Sequence, residues 1–346
     1  MGQIHKGLKT LERNAYFDNA KLLLIFLVVF GHAIQPFTSE NRFIDALYIW
    51  IYTFHMPAFI FLAGFFAKGL WNVEYVLRLM KRLIVPYVIF QSIYTLFYYL
   101  IGKDDWQMGH LFDPQWSLWF LLSLFSWHLM LVLYKRIRPF LGVAIAVLTG
   151  IFVGYFDSIG HDFSLSRTFV FFPFFLLGYW LNETHIAMLK RRAMKLLSLI
   201  IMFTTAISLY YLPEINPGWF LASHSYAELG AGRVGGLLRL AVYITSAVMI
   251  ASIFAWIPKR RFKMTTLGER TIYVYLLHGF IIQPIRQFDL LHVTNVFELI
   301  GVAVLSVIIV YLLTSQLVIT VFQPLIELNI SRMKSCFRQY RESQHY

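Results

Sequence analysis

Two ionisable residues within one apolar stretch have a spacing that suits chemistry inside a membrane. Lys21 and His32 are 11 positions apart, and only aliphatic residues, phenylalanines and a glycine lie between them. In an α-helix 11 residues make three turns plus ~20° and rise ~16 Å, so both side chains lie on one face. Asp18 and Gln35 fall on the same stripe. Because an imidazole titrates near neutral pH, His32 is suited to take a proton from a hydroxyl.

This stripe also has a structural interpretation. A buried histidine can hydrogen-bond to a neighbouring helix, and a lysine near the end of a span extends its ammonium group to the interface. We favour the functional interpretation of His32, since ionisable side chains within a membrane are costly and uncommon.

Two more histidines lie within apolar stretches. His55 is followed by Pro57, which cannot donate a backbone hydrogen bond and leaves a carbonyl for other groups to satisfy. His55 is therefore either a structural residue at a kink or a substrate contact. His278 follows Arg270 by two helical turns and is either a second catalytic group or a hydrogen-bond partner in the core, and we favour the second.

Basic and aromatic residues provide the remaining candidates. Arg78 and Arg82 are four positions apart on one predicted helix face, which suits phosphate binding as well as contact with lipid head groups. Arg167 opens an apolar stretch at the end where basic residues are otherwise scarce, which favours a functional role. Trp116 and Trp119 begin another stretch, where an interfacial aromatic belt explains them as well as sugar stacking does.

Known catalytic and cofactor motifs are missing from the sequence. It contains no GxSxG, Walker, HExxH or dinucleotide-binding pattern, and its histidines are not spaced as metal ligands. We therefore predict no metal and no bound cofactor.

The composition indicates the type of secondary structure that positions these residues. Of 346 residues, 58% are hydrophobic and only 14% are charged, which excludes an ordinary water-soluble domain. The apolar stretches have the length that an α-helix needs to cross ~30 Å of hydrocarbon. The sequence predicts an all-α membrane bundle of ten helices: 19–37, 44–66, 83–101, 116–134, 140–156, 168–182, 196–212, 236–256, 271–287 and 297–323.

The charge distribution predicts the topology. With a cytoplasmic N-terminus, 24 of the 30 basic residues fall on the inner side, which places both termini in the cytoplasm of a cell-membrane protein. The predicted organisation is a cytoplasmic segment 1–18, a single membrane domain 19–323 and a basic cytoplasmic tail 324–346. The net charge of +12 is attributed to topology and anionic lipid, without a nucleic acid partner.

With these residues in view, the chain resembles the membrane-bound acyltransferase-3 family, in particular its branch related to fucose 4-O-acetylases. The most specific match is a basic residue, ten residues and then a histidine, which Lys21 and His32 satisfy. The matching segments run in order along nearly the whole chain: Arg13 to Lys21 and on to Gly31-His32, Phe54 to Pro57 with Phe61 to Gly64, Arg78 to Pro86, Trp116 to Leu124, Arg167 to Gly178, and Leu267 to His278.

The resemblance implies an activity and roles for these residues. The family moves an acyl group, commonly acetyl, from cytosolic acyl-CoA to a hydroxyl of a cell-envelope carbohydrate. His32 would be the catalytic residue, Lys21, Arg78 and Arg82 would bind acyl-CoA, and Arg167 would support the active site. Asp18, His55, His278, Trp116 and Trp119 remain supporting or substrate-binding candidates. The acyl group would pass directly to the acceptor or to a separate extracytoplasmic transferase.

Two other functions suit parts of the sequence. A ten-span bundle with internal histidines and arginines is also typical of a transporter for a polysaccharide precursor or small solute, although no internal repeat pairs the two halves. A scaffold or sensor in an envelope-synthesis complex would need neither Lys21 nor His32.

Overall fold

The computed structural model describes residues 14–69, 72–103, 113–157, 159 and 164–328. Within these ranges every regular element is a helix. The α-helices in chain order are α1 (Ala15–Ile34), α2 (Arg42–Tyr52), α3 (His55–Phe66), α4 (Val73–Leu79), α5 (Val85–Leu100), α6 (Trp119–Tyr134), α7 (Pro139–Val153), α8 (Leu165–Trp180), α9 (Glu183–Leu189), α10 (Arg192–Tyr211), α11 (Gly218–Leu221), α12 (Gly235–Trp256), α13 (Thr271–Leu277), α14 (Gly279–Gln287), α15 (Val296–Leu313) and α16 (Gln316–Ile326).

The prediction of an all-helical membrane fold is confirmed for the described residues. Helices occur at all ten predicted spans, and six segments of the described chain are long and apolar enough to cross a membrane. Those six are Ala15–Phe37, Arg42–Phe66, Val73–Leu100, Arg192–Tyr211, Gly232–Trp256 and Val296–Leu313. Shorter apolar helices form α6, α7, α8 and α16.

The prediction of one uninterrupted helix over 297–323 is wrong. Helix α15 ends at Leu313, and the Ser315 side chain then accepts a hydrogen bond from the Val318 amide and starts α16. The Arg270 guanidinium donates to the Thr314 carbonyl at 2.8 Å, which stabilises the break. The predicted domain boundary at residue 323 consequently falls inside α16. The parts 1–13 and 329–346 of the predicted terminal segments, with Arg13 of the resemblance, lie outside the described residues.

Three other predicted spans differ in detail. The span 44–66 is interrupted at Thr53 and Phe54, close to where Pro57 removes a backbone donor. The span 271–287 is divided at His278. The span predicted over 83–101 begins earlier, at Val73, and includes a π-helical turn over Met80–Ile84.

Side-chain hydrogen bonds join helix ends at both ends of the bundle. At the end that carries most basic residues, the Asn19 amide donates to the carbonyls of Pro258 and Arg260, both at 2.9 Å. At the opposite end, the Arg286 guanidinium donates to the Gln35 side chain at 3.1 Å. Other pairs at the basic end are Lys68 with Leu181 and Lys190 with Ala255, and other pairs at the opposite end are Arg42 with Tyr210, Tyr155 with Arg233 and Gln287 with Gly102.

Glycines allow α3 and α8 to pack at backbone distance. A Cβ atom added at Gly64 would lie 2.8 Å from the carbonyl carbon of Phe175, and one at Gly178 would lie 2.7 Å from that of Phe61. Gly64 on α3 thus contacts the main chain of α8 about one turn before Gly178, and Gly178 contacts the main chain of α3 about one turn before Gly64. Small residues permit this close approach of helices in membranes. This contact positions His55 on α3 and Arg167 on α8 relative to each other.

Helix α1 lies at the centre of the bundle and is largely buried. The 3₁₀-helix Lys263–Arg270 packs against its start, where a Cβ at Gly268 would clash with the main chain of Asp18. The Thr265 hydroxyl donates to the Asn19 side chain at 2.7 Å, so Asn19 joins α1 to the whole segment 258–265. The first helix is therefore rigidly held at its basic end.

Candidate active site

A cavity of about 250 Å³ follows α1 through the bundle. Lys21, Ile25, Val28 and His32 line it in helical register. The prediction that Lys21 and His32 share a helix face therefore holds, and they lie ~16 Å apart by helical rise. The opposite wall consists mainly of aromatic and aliphatic residues from α3, α6, α8 and α13.

His32 lies at the deep end of this cavity among aromatic and polar side chains. Its ring centroid is 4.5 Å from that of Trp116 and 5.6 Å from that of His278. Its Nδ1 atom is 3.5 Å from the Tyr52 hydroxyl, and the Gln35 side chain is a second hydrogen-bonding neighbour. Because Gln35 also accepts from Arg286, the imidazole is oriented on one side by a helix-to-helix network.

His55 and His278 each use one ring nitrogen to contact a backbone carbonyl. His55 Nδ1 is 3.0 Å from the Ile51 carbonyl, and His278 Nδ1 is 2.9 Å from the Val274 carbonyl. A carbonyl only accepts, so Nδ1 carries a proton in both rings, and Nε2 is left for other contacts. His55 lines the cavity. His278 is fully buried behind His32, and its Nε2 has no partner within the described residues.

Arg167 and Trp119 lie next to each other in the cavity wall. The guanidinium carbon of Arg167 is 5.1 Å from the Trp119 ring centroid, and its Nε donates to the Leu221 carbonyl at 3.2 Å. Trp116 lies at the other side of His32 with φ at +47°, a left-handed conformation that a bulky residue rarely adopts. Its ring also stacks near His278, at 4.8 Å, so packing compensates for this backbone geometry.

Lys21 forms an ion pair at the shallow end of the cavity. Its ammonium group is 2.7 Å from Asp18 Oδ1 and 5.9 Å from the Phe66 ring centroid. The Asp18 side chain is buried, and its Oδ2 atom has no hydrogen-bond partner in the described structure. Asp18 thus orients Lys21 and compensates its charge.

Asp18, Trp116 and His278 do not line the cavity, but they contact Lys21 or His32, which do. Arg78 and Arg82 lie away from the cavity. Both side chains are exposed, and neither lines the cavity. Arg78 lies in α4 and Arg82 in the following π-helical turn, at the basic end of the bundle. They are available to a ligand only outside the cavity.

Several residues that contribute to the site were missed by the sequence prediction. Arg286 orients Gln35 beside His32, and Tyr275 lines the cavity while its hydroxyl donates to the Ser117 carbonyl at 2.6 Å. Arg239 is 2% exposed inside the bundle and donates to the Trp219 carbonyl. Arg239 and Arg286 both oppose the charge bias, so the argument that selected Arg167 would also have found them.

No cluster of three or more potential metal-ligating side chains occurs in the described ranges. The lining of the cavity includes imidazoles, a guanidinium and an ammonium group, together with hydroxyl-bearing residues such as Tyr52 and Tyr275.

Comparison with known proteins identifies the family. A family model described as an acyltransferase domain, that of acyltransferase family 3, matches residues 14–315. A segment of 61 residues is 38% identical to nodulation protein NolL of Sinorhizobium fredii, and it covers 17% of each chain. No solved structure matches the chain. The chain therefore belongs to the acyltransferase-3 family.

Proposed function

We propose that the protein is an O-acyltransferase that moves an acyl group, commonly acetyl, from cytosolic acyl-CoA to a hydroxyl of a cell-envelope or extracellular carbohydrate. One observation carries this proposal: Lys21 and His32 line the same cavity. Coenzyme A has phosphates at one end and a thioester at the end of a narrow arm. A cation at the shallow end and a base at the deep end suit these two parts.

The size of the cavity supports partial entry of the donor. A volume of about 250 Å³ lies below the ~300–1,000 Å³ typical of sites that enclose a drug-sized ligand. The acyl-pantetheine arm enters, and the nucleotide stays at the basic surface. Exposed Lys259, Arg260 and Arg261 lie there on the segment that Asn19 fastens to α1, and Arg78 and Arg82 offer further phosphate contacts.

The orientation belongs to the same proposal. We place the basic end and both termini in the cytoplasm, with ten membrane crossings in the cell membrane. This arrangement exposes the shallow end of the cavity to cytosolic acyl-CoA, which cannot cross hydrocarbon because its phosphates are charged.

In the direct mechanism His32 acts as a general base. A ring nitrogen takes the proton from the acceptor hydroxyl as the oxygen attacks the thioester carbonyl carbon. The carbon–sulfur bond breaks, and the departing CoA thiolate receives the proton from the imidazolium. The products are an oxygen ester and free CoA, and His32 returns to its neutral form.

A covalent route uses the same residue. The imidazole nitrogen attacks the thioester carbon, the carbon–sulfur bond breaks to release CoA thiolate, and a cationic acyl-imidazolium forms. The acceptor oxygen then attacks the acyl carbon, its proton passes to the released thiolate, and His32 is regenerated. In either route the Arg167 guanidinium stabilises the negative oxygen that develops on the carbonyl. His55 and Trp119 contact the acyl group from the facing wall.

The test is acyl transfer by purified protein in lipid vesicles supplied with radiolabelled acetyl-CoA. His32→Ala should lower transfer by about 10²–10⁴-fold while acetyl-CoA binding persists, as expected for loss of a general base. His292→Ala is the matched control, because His292 is exposed and outside the cavity. Full transfer by His32→Ala protein would refute the proposal. Solute transport without any acetyl-CoA binding would support the transporter instead.

A further inference from the structure

A second cavity of about 620 Å³ lies beside the first, between α10, α12 and the segment 214–220. We call it the lateral groove, and its polar lining includes Thr204, Thr205, Ser208, Glu214, Asn216 and Thr245. We propose that the lateral groove binds the acyl acceptor as a neutral polyhydroxylated molecule, that is, a carbohydrate. This inference rests on the proposed acyl transfer and assigns its second substrate to a site.

Hydroxyl groups of the lateral groove carry the argument. Elsewhere on the same two helices the Ser198 and Ser252 hydroxyls donate to a backbone carbonyl three or four residues earlier. In the described structure, the hydroxyls of Thr204, Thr205 and Thr245 form no hydrogen bond, and the same is true of Ser208.

Unbonded hydroxyls are costly next to lipid. A polar group without a partner is unfavourable in an apolar environment. A cluster of them facing one groove is therefore expected to contact water or a polar ligand rather than an acyl chain.

The charge of the lateral groove selects the ligand class. Among its described lining residues Glu214 is charged and acidic, and no lysine or arginine is present. The Asn216 side-chain oxygen accepts from the Gly218 amide at 2.8 Å, which leaves its NH₂ group to donate. Hydroxyls, an amide and a carboxylate suit the hydroxyls of a neutral sugar, whereas a phosphate or carboxylate ligand would lack a counter-charge.

Phe220 separates the lateral groove from the cavity that contains His32. It lines both spaces, while the main chain around it is fixed by buried groups. The Arg239 guanidinium donates to the Trp219 carbonyl, Arg167 donates to the Leu221 carbonyl, and the Ser166 hydroxyl donates to the next carbonyl at 2.9 Å. With its backbone held, the phenyl ring is the part that turns aside when an acceptor hydroxyl reaches the acyl carbon.

The test uses single cysteines in a Cys336→Ser background. Thr205→Cys and Ser208→Cys place a thiol in the lateral groove, and Phe203→Cys places one on the 66%-exposed outer face of α10 at similar depth. A charged, membrane-impermeant methanethiosulfonate should modify the two groove thiols at least about tenfold faster than the control, because only a hydrated thiol ionises readily. Equal rates would overturn the inference, since the groove would then be filled by lipid.

Protection and transfer complete the experiment. Methyl β-glucoside should slow modification of Ser208→Cys about threefold or more by mass action, whereas glucuronate should not. Modification should also abolish acetyl transfer to the glucoside and leave acetyl-CoA binding intact. No protection by the glucoside, or unchanged transfer after modification, would refute the assignment. Protection without any transfer by unmodified protein would instead refute the acyltransferase proposal and leave the groove as a sugar site.

Discussion

The close packing of α3 against α8 makes a prediction in which fold and activity are linked. Gly64→Ala introduces a Cβ atom 2.8 Å from the Phe175 carbonyl carbon, whereas ordinary van der Waals contact begins at 3.4 Å. The obstructing atoms belong to the backbone and cannot rotate away, so the helices must separate by more than half an ångström. Overpacking of this kind costs about 1–3 kcal/mol, and we expect the upper end of that range.

The same separation changes the distance between His55 and Arg167 across the cavity. Misplacement of reacting groups by 1 Å costs up to ~10²-fold in rate, so we expect acetyl transfer to fall by about 10- to 100-fold. Radiolabelled acetyl-CoA turnover and the thermal unfolding midpoint of the purified protein measure the two effects. Gly178→Ala should act in the same way, because its Cβ would meet the Phe61 backbone.

Gly301→Ala is the matched control for this experiment. It also adds a methyl group to a membrane helix, but nothing lies within 4 Å of its position. Alanine is favoured over glycine in helices by up to ~1 kcal/mol, so this variant should keep its activity and its stability. Wild-type turnover and unfolding midpoint in Gly64→Ala would show that the α3–α8 contact does not control the site.

Three further predictions concern the basic end of the bundle. Lys21→Met should weaken acetyl-CoA binding by about 10- to 150-fold, equivalent to the ~1.5–3 kcal/mol assigned to charge-assisted hydrogen bonds, and Lys21→Arg should restore it; an unchanged dissociation constant would exclude Lys21 from donor binding. Asn19→Ala removes the partner of three bonds to segment 258–265 and should cost about 1–3 kcal/mol in thermal unfolding, whereas half-buried Thr266→Ala removes one local bond to the Lys263 carbonyl and should cost clearly less. Burial, followed by the charges of Lys195 and Lys259, lowers the pKa of Lys190 from 10.5 to about 8. Between these two pH values Lys190 is protonated more in the unfolded chain than in the folded protein, so this residue makes the free energy of unfolding rise with pH. Lys190→Met should flatten that rise, and identical pH profiles of stability for the variant and the wild type would contradict the assignment.

Much of the local architecture was predictable from the sequence. The apolar stretches gave the position of every long helix, because a helix in hydrocarbon must satisfy its own backbone hydrogen bonds. The register of Lys21 with His32 followed from helical periodicity alone, since no break interrupts α1.

The interruptions of helices were less predictable. The break after Leu313 depends on an Arg270 side chain that arrives from a different part of the chain. The gap at Thr53 and Phe54 lies three residues before the proline that suggested a kink, and the His55 ring satisfies the Ile51 carbonyl there. Short polar residues such as Thr314 and Ser315 occur in both continuous and broken helices, so their types alone did not signal a break.

The sequence likewise predicted only part of the set of residues that form the candidate site. The resemblance to the family grouped Arg78 and Arg82 with Lys21 as acyl-CoA ligands, yet of the three only Lys21 lines the cavity. Charge bias assigns a residue to one end of the bundle, and it contains no information on whether its side chain points inward. Arg286 was overlooked because its partner beside His32, Gln35, is 251 positions away in the chain.

The sequence by itself determined that this protein is a helical membrane protein, which helix carries the stripe from Asp18 to Gln35, and which end of each span is basic. These properties depend on composition and on periodicity within one segment. The tertiary structure decided that His32 faces Tyr52 and Trp116, that Arg167 closes the same cavity, and that Phe220 separates it from the lateral groove. Such contacts join segments far apart in the chain, and they depend on backbone approaches such as Gly64 against Phe175 that no single segment encodes.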